Sequence, residues 1–426
     1  MTAQDQLFTK CAWRLIPFMG LLYLINFIDR TNVGFAALTM NADLDFSPAV
    51  FGFGAGIFFV GYALFQVPAN LILERIGARR WIFCILAVWG LLSAANAFVQ
   101  SSGTFYAVRF LLGVAEAGFF PGMLLYLTYW FPRAYLPHFT ATFMVAIPLS
   151  FVVGGPLASL ILELDGVAGL RGWQWLFVIE GIPASLLAFA VLKLLPDGPS
   201  SANWLSADEK TTIAARLLAE EPPGRSDLWT ALIDPRVIAL GLANFCFQAG
   251  AYGLALWLPQ IVQAMGFSNR ATGFVVALIF AAGAGAMILG GRSSSSRNER
   301  IWHASLPWLL AGLAFAAASA VQSNELVLAA LTFGSTAVFA AYGAFFSLPS
   351  SFLRGTAAAG GIGLFNMFGN FGAFFGPTLV GVLTNRSGDY AAGLTAVAIW
   401  FVLAALIIIV VGRAIAVRVL SAKQTA

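Results

Sequence analysis

Residues 15–38 read LIPFMGLLYLINFIDRTNVGFAAL. In helical form a run of this length crosses the ~30 Å hydrocarbon core of a bilayer. Yet Asp29 and Arg30 lie side by side within it, and each ionised side chain at mid-membrane costs roughly 2.5–3.5 kcal/mol. Asn26, Asp29 and Arg30 stand at i, i+3 and i+4, which predicts one shared helix face. Working outward, Arg109 and Glu116 sit two helical turns apart in another apolar run, and Glu180 lies in a third. A seven-residue step drifts only about 20° around a helix, so Arg109 and Glu116 also look toward one face. Five such charges cost on the order of 15 kcal/mol together, as much as a whole protein's folding stability. They must pair or line a wet cavity, and buried groups of both signs point to protons and an anion.

The rest of the chain fits this opening. It has 426 residues, 60% hydrophobic and 10% charged, against about 25% charged for soluble domains. Its apolar runs have helical rather than ten-residue strand length, so the fold class is an all-α membrane protein. Twelve spans are expected, at about 13–36, 49–73, 81–99, 104–127, 139–162, 173–195, 237–264, 271–291, 303–321, 326–349, 357–383 and 391–412. The long polar break from Pro196 to Arg236 carries Pro222-Pro223-Gly224 and divides them six and six. The expected organisation is a bundle over 1–195, a central loop over 196–236 and a second bundle over 237–426. Within the loop, Ser206 with Glu209 forms a capping-box pattern, predicting a short surface helix to about Glu220, read as a solvated linker.

Charge sets orientation. With the N-terminus inside, only Arg171, Arg270 and Arg386 fall in outer loops and Arg30 and Arg109 within spans; the rest of the 23 Lys/Arg face the cytoplasm. Both termini and the central loop are therefore expected inside. No cleavable signal is evident, and the first span follows a short polar leader. The scattered basic residues speak against nucleic-acid binding. Cys11, Cys84 and Cys246 read as small buried hydrophobes. The chain lacks G-x-x-x-x-G-K-[S/T], H-E-x-x-H, G-x-S-x-G and any Cys/His metal spacing, which excludes ATP-driven pumping and hydrolysis of those kinds. A membrane sensor would need a further cytoplasmic domain, and the central loop is too short for one.

An internal repeat supports the six-plus-six reading. Gly155-Pro156 recurs as Gly376-Pro377, and Arg79-Arg80-Trp81 as Arg300-Ile301-Trp302, displaced by the same number of residues. Small-residue pairs, Gly52 with Gly56, Gly118 with Gly122 and Gly372 with Gly376, suit close helix packing.

Residues 73–80, LERIGARR, resemble the loop of form G-x-x-x-D-R-x-G-R-R in the major facilitator superfamily, whose two six-helix bundles are pseudo-symmetric. The resemblance implies a conformational clamp of Glu74, Arg75, Arg79 and Arg80, with Glu74 in place of the aspartate. In the second half, residues 290–297, GGRSSSSR, lack the matching acid. Four further blocks resemble the anion:cation symporters: residues 26–40 (NFIDRTNVGFAALTM), 109–122 (RFLLGVAEAGFFPG), 172–183 (GWQWLFVIEGIP) and 355–366 (GTAAAGGIGLFN). That family includes bacterial permeases for tartrate, phthalate and sugar acids, and the chain is most similar to the tartrate and phthalate type. The resemblance implies that Asp29 and Glu116 take up protons, that Arg30 couples substrate to protonation, and that Arg109 is the fourth-helix arginine. It implies substrate contact for Tyr62 and Asn366. Phe345-Phe346 stands where relatives often have Phe-Trp, and Leu136-Pro137-His138 replaces an arginine-rich stretch.

Each of these residues also has a plainer reading. The Asp29/Arg30 and Arg109/Glu116 groups can be structural ion pairs. Glu180 can do proton work or hold a neighbouring helix. Tyr62 with Gln66, and Asn366 with Asn370, form polar stripes that suit a substrate site. Asn244, Gln248 and Tyr252 give the seventh span a polar face suited to substrate or to packing. His138 and His303 are not expected to relay protons or hold metal. Ionisable residues within spans all belong to the first half, so that half is expected to handle charge while Phe346 and the amides of the second half recognise the rest of the solute. The expected function is secondary active transport by alternating access: proton-coupled symport of a small organic anion, with uniport or export of a similar anion as the alternative and a transport-like sensor as a remote one. The expected partners are a carboxylate, protons and the lipid of a bacterial inner membrane; no cofactor or metal is expected, and a monomer suffices.

Overall fold

The computed structural model describes residues 3–220, 232–353 and 355–424. Among these every regular element is helical, and twelve helices are long and apolar enough to cross a membrane. They run Gln4–Asp43, Pro48–Leu73, Ala78–Phe98, Ser102–Thr128, His138–Leu162, Gly172–Leu194, Pro235–Ala264, Asn269–Arg297, Ile301–Ala320, Asn324–Ser351, Gly360–Ser387 and Ala391–Gly412, the first to twelfth spans below. All twelve expected spans are present. The first begins well before its apolar run, because Leu7, Phe8 and Cys11 of the expected polar leader are buried and continue the helix.

Two spans are interrupted at informative places. The fourth breaks after Glu116, where Ala117 and Gly118 separate Ser102–Glu116 from Phe119–Thr128. The tenth breaks at Ala341 and closes in a short turn at Pro349, which has no N–H to continue an α-helix.

The residues group into two compact units. One comprises Met1–Asn32, Gly61–Gly154 and Leu160–Pro222; the other Val33–Val60, Gly155–Ser159 and Pro223–Ala426. In the first unit the third and sixth spans approach very closely: a Cβ added at Gly181 would stand 2.6 Å from the Ala94 nitrogen and 2.8 Å from the Gly90 carbonyl oxygen. The surface helix, Ala207–Leu218, opens on the expected box, with Ser206 accepting from the Glu209 N–H. It is docked rather than merely solvated. Lys10 pairs with Glu209 at 2.8 Å, Arg216 donates to Gln4, the Arg133 N–H donates to Glu220 at 2.7 Å, and Trp204 stacks on Trp130 at 5.5 Å.

In the second unit, the residues after Asn32 pack through small side chains. A Cβ at Gly34 would stand 2.8 Å from the Leu256 oxygen, one at Gly52 2.5 Å from the Pro377 oxygen, and one at Gly155 2.6 Å from the Gly273 oxygen. Asn41 donates to Gln260 at 3.2 Å beside them. Only residues without a side chain permit backbones this close.

Candidate substrate and proton site

The first unit gathers the ionisable residues that the sequence singled out, in a different arrangement from the single face expected. Adjacent residues on a helix point about 100° apart, and Asp29 and Arg30 accordingly serve different neighbours. Arg30 reaches the fourth span, where its Nη2 donates to Glu116 Oε2 at 2.9 Å. Asn26 Nδ2 donates to the same oxygen at 2.7 Å. The guanidinium lies 5.1 Å from the ring centres of both Phe27 and Tyr62, so two aromatic faces help to hold its charge. Glu116 is 0% exposed.

Asp29 turns instead to the third span. Its Oδ2 accepts from Trp89 Nε1 at 2.5 Å, and its Oδ1 accepts from Ser93 Oγ and, at 3.1 Å, from Asn32 Nδ2. A carboxylate has no hydrogen to give, and three donors aimed at one suit the acceptor-only form. Sequence reasoning missed Trp89 and Ser93. Their signal was a Trp and a Ser four residues apart in an apolar run, which ordinarily reads as packing.

Arg109 is fully buried among Asp29, Glu116 and Arg30. Glu180 is buried near Asn32 and Asp29. Two arginines thus face three carboxyl groups in a region with almost no solvent access. Tyr62 lies over Arg30, and Gln66, half-buried, follows one turn later.

The clamp residues divide. Arg79 pairs with Asp197 at 2.8 Å and donates to the Leu192 carbonyl, tying the start of the third span to the end of the sixth. Arg75 and Arg80 are exposed, and the Glu74 side chain lies outside the described residues.

The remaining predicted site residues belong to the second unit. Tyr252 packs against Phe59 with ring centres 4.4 Å apart. Phe346 is held among Tyr342, Phe247, Phe345 and Phe365. Gln248, Asn366 and Asn370 are half-buried. Asn244 donates to the Phe365 carbonyl at 2.9 Å, which makes it a bond between the seventh and eleventh spans.

The comparisons with known proteins bear on the family and the fold. The model of the Major Facilitator Superfamily matches residues 19–377. A putative tartrate transporter of Agrobacterium vitis is 45% identical over 413 residues, 96% of this chain and 95% of that protein. The putative metabolite transport protein NicT of Pseudomonas putida is 43% identical, over 91% of this chain and 90% of its own length. Among solved structures, a D-xylose-proton symporter matches with a TM-score of 0.76 at 14% identity, covering 93% of this chain and 97% of that one, and so shares the fold. Twelve membrane-length helices, a buried cluster of paired charges and a family match over most of the sequence lead to one conclusion: this chain belongs to the Major Facilitator Superfamily and is a membrane transporter, not an enzyme.

Proposed function

We propose that the chain is a proton-coupled symporter of a small organic anion, a hydroxylated or aromatic carboxylate, working by alternating access in a bacterial inner membrane with both termini in the cytoplasm. The observation that carries this reading is the Arg30–Glu116 pair, 2.9 Å apart and shielded from water. An incoming carboxylate competes with Glu116 for the planar guanidinium. Once displaced, Glu116 has lost its cation in an apolar setting, and a proton restores neutrality. Arg109, among Asp29, Glu116 and Arg30, links the second carboxylate to the same event.

The names of the relatives support an organic anion as cargo. We read 1–195 and 237–426 as the two six-helix repeats, 196–236 as their link, Gln66 with Tyr62 as substrate contacts, and Tyr252, Gln248, Asn366, Asn370 and Phe346 as the residues that discriminate among anions. Glu74, Arg75, Arg79 and Arg80 form the cytoplasmic clamp, and a monomer carries out the cycle. If one net positive charge enters per cycle, a potential of about 150 mV supplies about 3.5 kcal/mol, or several-hundred-fold accumulation.

The test is uptake by proteoliposomes of a panel of labelled carboxylates, with and without an imposed pH gradient. Accumulation of one anion that collapses with the gradient is expected. Equal uptake with and without it overturns the coupling, and accumulation only in the outward sense overturns import.

A further inference from the structure

Glycines bring the seventh and eleventh spans into backbone contact. A Cβ added at Gly372 would strike the Phe245 carbonyl, and one at Gly376 the Ala249 carbonyl. Such glycine surfaces associate by close fit, and a smooth fit resists rotation only weakly. One directional bond stands beside them. Asn244 of the seventh span is 1% exposed and donates through Nδ2 to the Phe365 carbonyl of the eleventh at 2.9 Å. A carbonyl oxygen can only accept, so the nitrogen of this amide must face it. Asn244 Oδ1 completes no hydrogen bond among the described residues, and the donor end alone therefore anchors the side chain. Room for the amide comes from Gly369, one turn beyond Phe365, where a Cβ would collide with Asn244 Nδ2.

The carbonyl held in this way belongs to a residue with further ties. Phe365 precedes Asn366 in the chain, and its ring centre lies 5.4 Å from that of Phe345 and 5.8 Å from that of Phe346. Phe346 in turn meets Phe247 at 5.9 Å. Phe247 stands three residues after Asn244 on the same helix, and hence on the same side of it. The result is a closed circuit. The seventh span grips the main chain of Phe365 through Asn244 and the ring of Phe346 through Phe247, and the rings of Phe365 and Phe346 meet. Without the amide bond the eleventh span is free to turn on its glycines, and such a turn moves Asn366 and Phe346 together.

We propose that Asn244 is a positioning residue for anion selection: its bond to the Phe365 carbonyl sets the rotation of the eleventh span, and through it the placement of Asn366 and Phe346. The proposal rests on the reading above in which those residues discriminate among anions.

The test compares Asn244→Leu, which keeps the branched shape of the side chain and removes its donor, with Gly369→Ala, which keeps Asn244 but drives its amide off the carbonyl. The probes are labelled tartrate and succinate, dicarboxylates of equal chain length that differ only in hydroxyl groups, and uptake by proteoliposomes gives kcat/KM for each. Both variants should change the ratio of these values by about threefold to tenfold, the worth of one hydrogen bond. In an Asn366→Ala background the same variants should leave the ratio within about twofold, because residues that act through one another are not additive. A wild-type ratio in Asn244→Leu would overturn the proposal. A fully additive change in the Asn366→Ala background would also overturn it, since Asn244 would then touch the anion itself. Where Asn244→Leu fails to fold, Asn244→Ala takes its place in both comparisons. A second readout needs no anion. With 4-cyanophenylalanine in place of Phe346 and the protein in lipid discs, the nitrile stretching band should move when Asn244→Leu is added, and a band that stays in place overturns the proposal. If neither anion is carried, or Asn366→Ala leaves their ratio unchanged, the reading above falls for these anions, while the nitrile band still decides whether Asn244 holds Phe346.

Discussion

Asp29 and Glu116 are each bound by groups that favour a negative charge, yet by different ones: neutral donors from three residues at Asp29, an arginine and an amide at Glu116. Asp29→Asn and Glu116→Gln should therefore each abolish proton-driven accumulation while leaving exchange of labelled for unlabelled anion across the membrane. Normal concentrative uptake by either variant would remove that residue from coupling. Arg30 is also distinct from a simple positive charge, since it lies over Phe27 and Tyr62 as well as beside Glu116. Arg30→Lys should weaken anion binding in detergent at fixed pH by about tenfold or more, the cost of losing a two-pronged charged contact. These acids and arginines were legible in the sequence because charge in an apolar run is expensive and demands a reason. Trp89 and Ser93 were not, because an indole or a hydroxyl in a membrane helix has ordinary uses. That Arg30 and Asp29 part company was hidden too, since helical spacing gives a face but not the neighbours that compete for it.

At the scale of elements, the surface helix shows what local sequence can and cannot reveal. Its start was readable from Ser206 and Glu209, whose reciprocal bonds are purely local. Its docking was not, because Lys10, Gln4, Arg133 and Trp130 are distant in the chain. The Lys10 ammonium, by hydrogen-bonding the Glu209 carboxylate, holds it below the ordinary glutamate range. A folded-state value below the unfolded one means that the contribution is complete above about pH 4.3, the unfolded value, and fades as pH falls through the lower folded value. The pair is solvent-accessible, so the effect is modest. Glu209→Gln should raise the rate of proteolytic cleavage in the central segment about twofold to fivefold at neutral pH. The wild type should approach the variant only as the solution is acidified below the ordinary glutamate range. Equal cleavage of both at neutral pH would show that Arg216 on Gln4, Glu220 on Arg133 and Trp204 on Trp130 hold the helix without the Lys10 pair.

For the whole molecule, the count of spans was legible because a bilayer demands about 20 apolar residues per helix. The grouping into units was not, because it depends on backbone approaches at Gly34, Gly52 and Gly155 that no hydropathy pattern records. The charge asymmetry survives in the structure: the buried charged residues among those described, Asp29, Arg109, Glu116 and Glu180, all belong to the first unit. Variants in the second unit should then change selectivity without uncoupling. Asn366→Ala removes a donor and acceptor suited to a substrate hydroxyl, at a cost of about 1–3 kcal/mol for the unpaired group, and Phe346→Trp should exclude bulkier anions first. A competition profile over anions of graded size and hydroxylation, beside pH-gradient uptake, checks both. An unchanged profile with lost coupling would contradict the division of labour.

The first span is one unbroken helix, yet its membership passes from one compact unit to the other between Asn32 and Val33, just past Arg30. The proposed coupling residues Asp29 and Arg30 and the close contact at Gly34 therefore lie little more than one turn apart on a single stiff rod. Any free energy by which protonation favours one arrangement of that rod must reappear, with the same magnitude, as the effect of that arrangement on proton affinity. Gly34 is where this reciprocity can be read, because a methyl group there meets the Leu256 carbonyl oxygen at 2.8 Å, so the backbones must shift, while no ionisable group is removed. Gly34→Ala should shift the pH dependence of anion binding although it touches neither proton nor anion. If binding keeps its wild-type pH dependence while the variant folds and transports, the rod is not the lever. If it shifts, one continuous helix carries the influence of a packing contact to the charged groups a turn away.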